Sequence, residues 1–285
     1  MRSASAWYVR CPMRRAIAVV LFSLTLLACR ESHANAFAFA AHEDAGPVPT
    51  LVSFPSGSRT LHGYLYRPTG DGPFPAVIFN HGSERWPGTM RGQAAFYVPR
   101  GFVVFAPHRC GQGESSDAGD YVGYHFWDHA RVVNDLVAQT DDVLAAVDYV
   151  RALPYVAGVH VGVAGCSFGG IVSLFAAERG GGIEAVVDFA GGAMSWASSP
   201  ELQDRMKQAA RAATVPIFFA QAENDFDTTP SRVLYDEMRR AGKPARMRIF
   251  PPNGSTPEEG HHLCFGGEHP AWGDDVLEFL KQSAK

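Results

Sequence analysis

Two potential nucleophiles, a thiol and a hydroxyl, stand side by side in the segment Gly165-Cys166-Ser167-Phe168-Gly169. The run HVGVA precedes the segment and the helical pattern IVSLFAAERG follows it, which is the context of a G-x-S-x-G nucleophile elbow. The positions two before and two after the nucleophile must be small, because side chains there would collide with neighbouring backbone. Glycines satisfy this condition around Ser167, whereas an elbow centred on Cys166 would require Phe168 at a narrow position. The spacing therefore predicts Ser167 as the nucleophile and Cys166 as a buried neighbour.

Candidate partners for this serine follow two later strand patterns. A serine hydroxyl needs a general base, and the base needs a third group to orient it. The run VPIFFAQ leads to Asp225 and Asp227, and the run RMRIF leads to His261 and His262. This is the chain order Ser, acid, His that the elbow context predicts. Adjacent side chains in an extended loop diverge, so we expect one of the two histidines to face the site.

Acyl-transfer chemistry also needs two backbone N–H groups that stabilise the oxyanion. The N–H of Phe168 directly follows the nucleophile and lies at the start of a predicted helix. The second donor is expected in the turn His81-Gly82-Ser83-Glu84 after the run PAVIFN, and Ser83 is our choice.

The elements that must position these residues alternate between short apolar runs and longer helical patterns. A helix is predicted from about Asp128 to Leu153, and others begin near Phe168, Glu201 and Pro230, with a last one over AWGDDVLEFLKQ. This alternation indicates an α/β domain with a mostly parallel sheet and helices on both faces, which we assign to residues 48–285. In such sheets the loops at the carboxyl ends of the strands carry the site. The strands are predicted over TLHGYLYRP, PAVIFN, GFVVFAP, HVGVAG, EAVVDFA, VPIFFAQ and RMRIF.

With these motifs, nearly all of the chain past residue 50 resembles an α/β-hydrolase of the dienelactone hydrolase family. The resemblance implies hydrolysis of carboxylic esters or lactones by a Ser-Asp-His triad through an acyl-enzyme, without a cofactor. The offset from the strand favours Asp225, and the family's G-H-x-F pattern favours His261, with Leu263 in place of Phe. There are two departures: the founding members carry Cys where this chain has Ser167, and His108 stands where many relatives have Asp. The motifs are NHGS, RGFVVFAPHRCGQGES, GCSFGG, AENDFD and GHHLCF.

A long loop after GFVVFAP is expected to shape the substrate pocket. It carries Tyr121, Tyr124, Phe126 and Trp127 before the long helix begins, at the carboxyl end of a strand close to the elbow. We predict that Tyr124 and Trp127 contact the substrate. The alternative is that these aromatic residues anchor the loop to the core.

Three other functions compete with an esterase. The cluster His261, His262, Cys264, Glu268 and His269 contains metal-ligand types, but its spacing matches no common zinc signature, so no metal is expected. A serine peptidase of the prolyl oligopeptidase type shares the elbow and the chain order, although we expect no room for its propeller. A catalytically inactive hydrolase fold that serves as an exported binding protein is the third alternative.

The amino terminus has the pattern of an export signal. Basic residues precede the apolar run AIAVVLFSLTLLAC, which ends at Cys29. We expect a signal peptide over residues 1–29 and a tail over residues 30–47. The sequence LLAC resembles a lipobox, which would attach a lipidated Cys29 to a membrane. The first alternative is cleavage within SHANAFAFA, which would release the protein. The second alternative is that the apolar run remains as an uncleaved anchor or as a buried helix.

The charge and the cysteine content of the chain limit its possible binding partners and its disulfide bonds. A formal charge of −4 and the lack of like-charge blocks exclude a nucleic-acid partner. Beyond the leader lie Cys110, Cys166 and Cys264. Because this number is odd, at least one stays free or pairs with another chain, and no disulfide framework is expected.

Overall fold

A single sheet of eight strands carries the candidate site residues, in the order β1-β2-β4-β3-β5-β6-β7-β8. The strands are β1 (Thr50–Ser56), β2 (Arg59–Tyr66), β3 (Phe74–Asn80), β4 (Val103–His108), β5 (Val156–Cys166), β6 (Ala185–Phe189), β7 (Ile217–Ala222) and β8 (Ala245–Phe250). From β4 to β8 all neighbours are parallel, while β2 pairs antiparallel with both β1 and β4. The mostly parallel sheet predicted from the sequence is therefore confirmed.

The computed structural model describes residues 47–284. The predicted signal peptide, nearly all of the predicted tail and Cys29 lie outside this range. Strand β1 was not predicted, because it is an edge strand in which only Phe54 and Ser56 are buried. Its short, interrupted apolar pattern gives a weak signal.

Strand residues alternate between two hydrophobic cores, one on each face of the sheet. In β3, Ala76 and Ile78 face one core, while Val77 and Phe79 face the other, as the two-residue period of a strand requires. One core packs against α2 to α5 and the other against α1 and α7. The helices are α1 (Arg91–Tyr97), α2 (His129–Arg151), α3 (Phe168–Arg179), α4 (Pro200–Ala212), α5 (Thr229–Arg240), α6 (Pro257–His261) and α7 (Gly273–Ser283).

The long helix α2 follows the sequence prediction closely. Asp128 is its N-cap, and its side chain accepts a hydrogen bond of 3.0 Å from the N–H of Arg131. Such a cap satisfies one of the four backbone donors that a helix start leaves unpaired. Within residues 47–284, no helix is both long and apolar enough to cross a membrane.

Candidate active site

Ser167 occupies a strained turn between β5 and α3. Its φ of 56° and ψ of −119° lie in a region that residues with a Cβ rarely adopt, and such strain clusters at functional sites. A Cβ at Gly165 would lie 2.1 Å from the carbonyl oxygen of Gly169, and a Cβ at Gly169 would lie 2.1 Å from that of Asn80. This close packing of the backbone explains why the residues two before and two after Ser167 are glycines.

Cys166 is buried at the end of β5, as predicted, but it is not a free thiol. It forms a disulfide with Cys264, 98 residues further along the chain. Cys110 is the free cysteine of the described chain. The expectation that no disulfide framework exists is corrected: an odd count allows one internal pair, and the chain after β8 brings Cys264 beside the end of β5.

Asp225 and His261 meet at the carboxyl edge of the sheet. Asp225 Oδ1 lies 2.9 Å from His261 Nδ1, and both residues are buried. The same carboxylate accepts hydrogen bonds from the N–H of Phe226 at 2.7 Å and from Gln221 Nε2 at 2.8 Å. These donors fix the carboxylate, so that one oxygen faces the imidazole ring.

The alternative acid and the alternative histidine lie elsewhere. Asp227 Oδ1 accepts a hydrogen bond from the N–H of Thr229 at 2.8 Å, at the start of α5. His262 follows α6 and packs edge-on against Phe265, with ring centroids 5.5 Å apart. Burial, and then the proximity of His261, lowers the pKa of His262. The two histidines lie at the end of a helix and not in an extended loop, so the reason given for their divergence was wrong.

The second nitrogen of His261 is turned away from the acid. Its Nε2 is buried and has no hydrogen-bond partner among residues 47–284. With Nδ1 bonded to Asp225, an unprotonated Nε2 is the atom that can accept a proton from a nucleophile.

The histidine turn is anchored by a helix-start pattern that is visible in the sequence. Thr256 and Glu259 form a capping box at the start of α6, the T-x-x-E signature of a helix start. Asn224, beside the acid, donates to the carbonyl of Thr256 at 2.9 Å, and its Oδ1 accepts from the N–H of Asn253 at 2.9 Å. The loops that carry Asp225 and His261 are thus joined.

Arg109, a buried cation, holds the loop after β3. It donates from Nη1 to the carbonyl of His81 and from Nη2 to that of Gly82, each at 2.8 Å, and from Nε to Gln139 Oε1 at 2.9 Å. Burial lowers the pKa of Arg109 to about 10, which leaves it charged at neutral pH. Burial, and then this charge, lowers the pKa of His81, so that His81 is neutral.

The next two carbonyls of this loop are held by the loop after β4. Tyr121 Oη donates to the carbonyl of Ser83 at 2.6 Å, and Gln112 Nε2 donates to that of Glu84 at 2.8 Å. In a trans peptide the C=O and the following N–H point in opposite directions. Because Arg109 holds the carbonyl of Gly82, the N–H of Ser83 points away from Arg109.

A cavity of about 260 Å³ lies in front of Ser167. Its lining includes Phe168 and Ser83, the two residues chosen as oxyanion donors. The rest of the lining is mainly apolar or hydroxyl-bearing: Phe126, His129, Val132, Val133, Met194, Ser195, Ser198, Ser199 and Leu202.

The long aromatic loop contributes Phe126 to this cavity, while Tyr124 and Trp127 are not among its lining residues. The side chains of Tyr124 and Trp127 are 53% and 82% exposed, and Trp127 Nε1 donates to the carbonyl of Tyr124. The Phe126 ring lies 5.7 Å from that of Phe168. The connection between β6 and α4 also lines the cavity, through Met194 and its neighbours, a contribution that we did not predict.

His108, which stands where many relatives have Asp, connects two loops. Its Nδ1 accepts a hydrogen bond from the N–H of Glu114 at 2.8 Å, and its Nε2 lies 2.9 Å from the carbonyl of Gly88. Burial lowers the pKa of His108, which favours the neutral ring that this pattern requires. In residues 47–284 no group of three or more His, Cys, Asp or Glu is placed to hold a metal ion.

Several known proteins with a similar sequence or fold are hydrolases by name. The model of the dienelactone hydrolase family matches residues 61–255. Protein usf of Aquifex pyrophilus is 29% identical over 178 residues, which are 61% of this chain and 71% of that protein. A Klebsiella pneumoniae structure assigned as a dienelactone hydrolase aligns with a TM-score of 0.59 at 19% identity, covering 84% of this chain and 98% of that one.

Larger enzymes share the fold as well. Acylaminoacyl peptidase of Pyrococcus horikoshii aligns with a TM-score of 0.64 at 15% identity, over 84% of this chain and 42% of that chain. The present chain thus spans less than half of that peptidase. At such identity the likeness extends to the α/β-hydrolase fold alone.

Proposed function

The chain belongs to the dienelactone hydrolase family, and we propose that it cleaves carboxylic esters or lactones with Ser167 as the nucleophile. The observation that carries the proposal is the hydrogen bond of 2.9 Å between Asp225 and His261. The strained turn of Ser167 accompanies it, as in a nucleophile elbow, whose hydroxyl group needs a base that an acid orients.

The proposed reaction has two halves. In the first, Ser167 Oγ attacks the carbonyl carbon while His261 Nε2 takes its proton, and Asp225 stabilises the imidazolium that forms. The backbone N–H groups of Ser83 and Phe168 stabilise the oxyanion. The imidazolium then protonates the leaving alcohol, and an acyl-enzyme remains. In the second half water repeats the attack, and the acid is released from Ser167.

The cavity supports a small, uncharged acyl or alcohol group as substrate. Its volume of about 260 Å³ lies just below the range of roughly 300–1,000 Å³ that is usual for ligand sites. Neither Asp, Glu, Lys nor Arg is among its described lining residues, so a charged substituent would lose its hydration without gaining an ionic partner.

Labelling with a fluorophosphonate tests the assignment. We expect one covalent adduct per chain on Ser167, and no adduct in Ser167→Ala. Substrates should include acyl esters of graded length, lactones and aminoacyl amides. Faster turnover of the amides than of the esters would favour a peptidase, while an unlabelled, folded wild type would favour a binding protein.

We further propose that the protein is exported and that either free release or a lipidated Cys29 follows. The leader pattern supports export, and so does the disulfide, because disulfides persist mainly in oxidising compartments. Intact mass and the amino-terminal sequence of the mature protein test this proposal. A diacylglyceryl-modified Cys29 as first residue would establish the lipoprotein, and an intact residue 1 in the mature protein would refute export by cleavage.

A further inference from the structure

The disulfide joins the two turns that carry the proposed reaction. Cys166 immediately precedes Ser167 at the end of β5, and Cys264 ends the short 3₁₀ turn His262–Cys264 that follows His261. Cys166 Sγ also lies 4.0 Å from the carbonyl oxygen of His261. A covalent bridge therefore connects the nucleophile turn directly to the histidine turn.

The order of the strands does not by itself bring these turns together. β6 and β7 lie between β5 and β8, so the chain that leaves β8 must return across two strands before His261 can reach Ser167. Along this return the described chain forms α6 and the 3₁₀ turn but no strand pairing. No strand pairing therefore sets the separation of Ser167 and His261.

The hydrogen bonds of the histidine turn lead elsewhere. Asn224 ties it to the acid loop, and Trp272 Nε1 donates to the carbonyl of Leu263 at 2.8 Å from the start of α7. Gln93 Nε2 lies 3.5 Å from the carbonyl of Cys264. These contacts orient the histidine turn toward Asp225 and toward the helices, while the disulfide is the covalent attachment to the elbow.

On the Cys166 side the bridge is attached to a rigid element. Cys166 is paired with Phe189 at the end of β6, and the N–H of Ser167 donates to the carbonyl of Phe189 at 2.9 Å. The disulfide thus joins an irregular segment to the centre of the sheet.

We propose that the Cys166–Cys264 disulfide is a positioning element, which holds His261 within reach of Ser167, and that the dithiol form is folded but hydrolyses esters slowly. This inference rests on the proposed roles of Ser167 and His261. A displacement of about 1 Å at a reacting group can lower a rate by about 100-fold. We therefore expect kcat to fall roughly 10- to 100-fold on reduction, with KM changed by less than about threefold, since the bridge does not line the cavity.

The redox step is a thiol–disulfide exchange. Each of the two thiols loses one proton and one electron, and the S–S bond forms between Cys166 and Cys264. A donor disulfide, from a protein dithiol oxidase or oxidised glutathione, accepts both and leaves as two thiols. Dithiothreitol reverses the step and ends as its cyclic disulfide.

The test compares the oxidised wild type, the dithiothreitol-reduced wild type and the double variant Cys166→Ala/Cys264→Ala. Cys110→Ala is the matched control, because Cys110 is the free cysteine of the described chain. Thiol titration in denaturant should show two additional thiols after reduction. Circular dichroism and urea unfolding measure the folded fraction of each form. The values of kcat and KM for a short-chain ester are then measured at urea concentrations well below the unfolding midpoint of that form.

The proposal predicts slow, folded enzyme in both disulfide-free states and an unchanged Cys110→Ala. Equal kcat with and without the disulfide would overturn it, and so would a loss of activity that merely tracks the unfolded fraction. If the double variant fails to fold, the reduced wild type supplies the comparison. Fluorophosphonate labelling separates the two proposals: no labelling of the disulfide form refutes the role of Ser167 and this inference with it, whereas equal labelling rates in both forms refute only the inference.

Discussion

Asp188 is a buried carboxyl group beside the nucleophile elbow, and its burial predicts that the stability of the protein depends on pH. It lies in β6 directly opposite Gly165. Its Oδ1 accepts a hydrogen bond of 2.8 Å from the N–H of Gly191, while its Oδ2 is buried without a partner among residues 47–284. Burial raises the pKa of Asp188 to about 7, against the opposing effect of the Gly191 hydrogen bond.

The direction of the pH effect follows from proton binding. In the unfolded chain an aspartate has a pKa of about 3.9, so between about pH 4 and pH 7 the folded protein holds a proton on Asp188 that the unfolded chain does not. Stability therefore falls as pH rises through this window and levels off above the folded pKa. At 1.36 kcal/mol per pKa unit, the loss between pH 5 and pH 8 is about 2 to 3 kcal/mol.

Asp188→Asn removes this titration and keeps an oxygen for the N–H of Gly191. When pH is raised from 5 to 8, we expect the free energy of unfolding of the wild type to fall. This fall should exceed that of Asp188→Asn by about 2 to 3 kcal/mol. Urea unfolding at the two pH values measures it, and other titrating groups cancel in the difference. Asp71→Asn, at an exposed site, should behave like the wild type. Parallel pH profiles of the wild type and Asp188→Asn would refute the reasoning.

Three further predictions concern the site. Arg109→Met should lower kcat by about 100-fold in ester hydrolysis, as loss of an oxyanion donor does; an unchanged kcat would mean that the loop after β3 keeps its shape without Arg109. Asp225→Asn should lower kcat by about 10⁴-fold and Asp227→Asn by less than about threefold, and the reverse order would move the acid to Asp227. Phe126→Ala should change the ranking of esters by kcat/KM, by roughly 10- to 200-fold for a contact worth about 1 to 3 kcal/mol, while Trp127→Ala should not; the opposite result would favour Trp127 as the substrate contact, as the sequence predicts.

Local patterns explain what could be predicted from the sequence. The strand, turn and helix around Ser167 are neighbours in the chain, and the glycines on each side of it reflect contacts within a few ångströms. The same holds for α2, whose N-cap and apolar face are visible in the sequence. The parallel sheet followed from the alternation of elements.

Tertiary geometry explains the rest. The Cys166–Cys264 pair depends on where the chain returns after β8, which no local pattern specifies. Phe126 and Trp127 are adjacent, and which ring faces the cavity depends on how the loop packs over Phe168. The short helix α6 is different: its T-x-x-E capping box was present in the sequence, so its start could have been predicted.

The long span of the disulfide also imposes an order on the making of the protein. Cys166 leaves the ribosome 98 residues before Cys264, and all of β6, β7 and β8 is synthesised in that interval. Before Cys264 is synthesised, Cys110 is the only other cysteine of residues 47–284 that Cys166 can meet in the same chain. Oxidation at this stage would form a Cys110–Cys166 disulfide, which joins β5 to the loop after β4. The cell that makes this protein must therefore either keep Cys166 reduced until synthesis is nearly finished or exchange a wrong bridge for the native one.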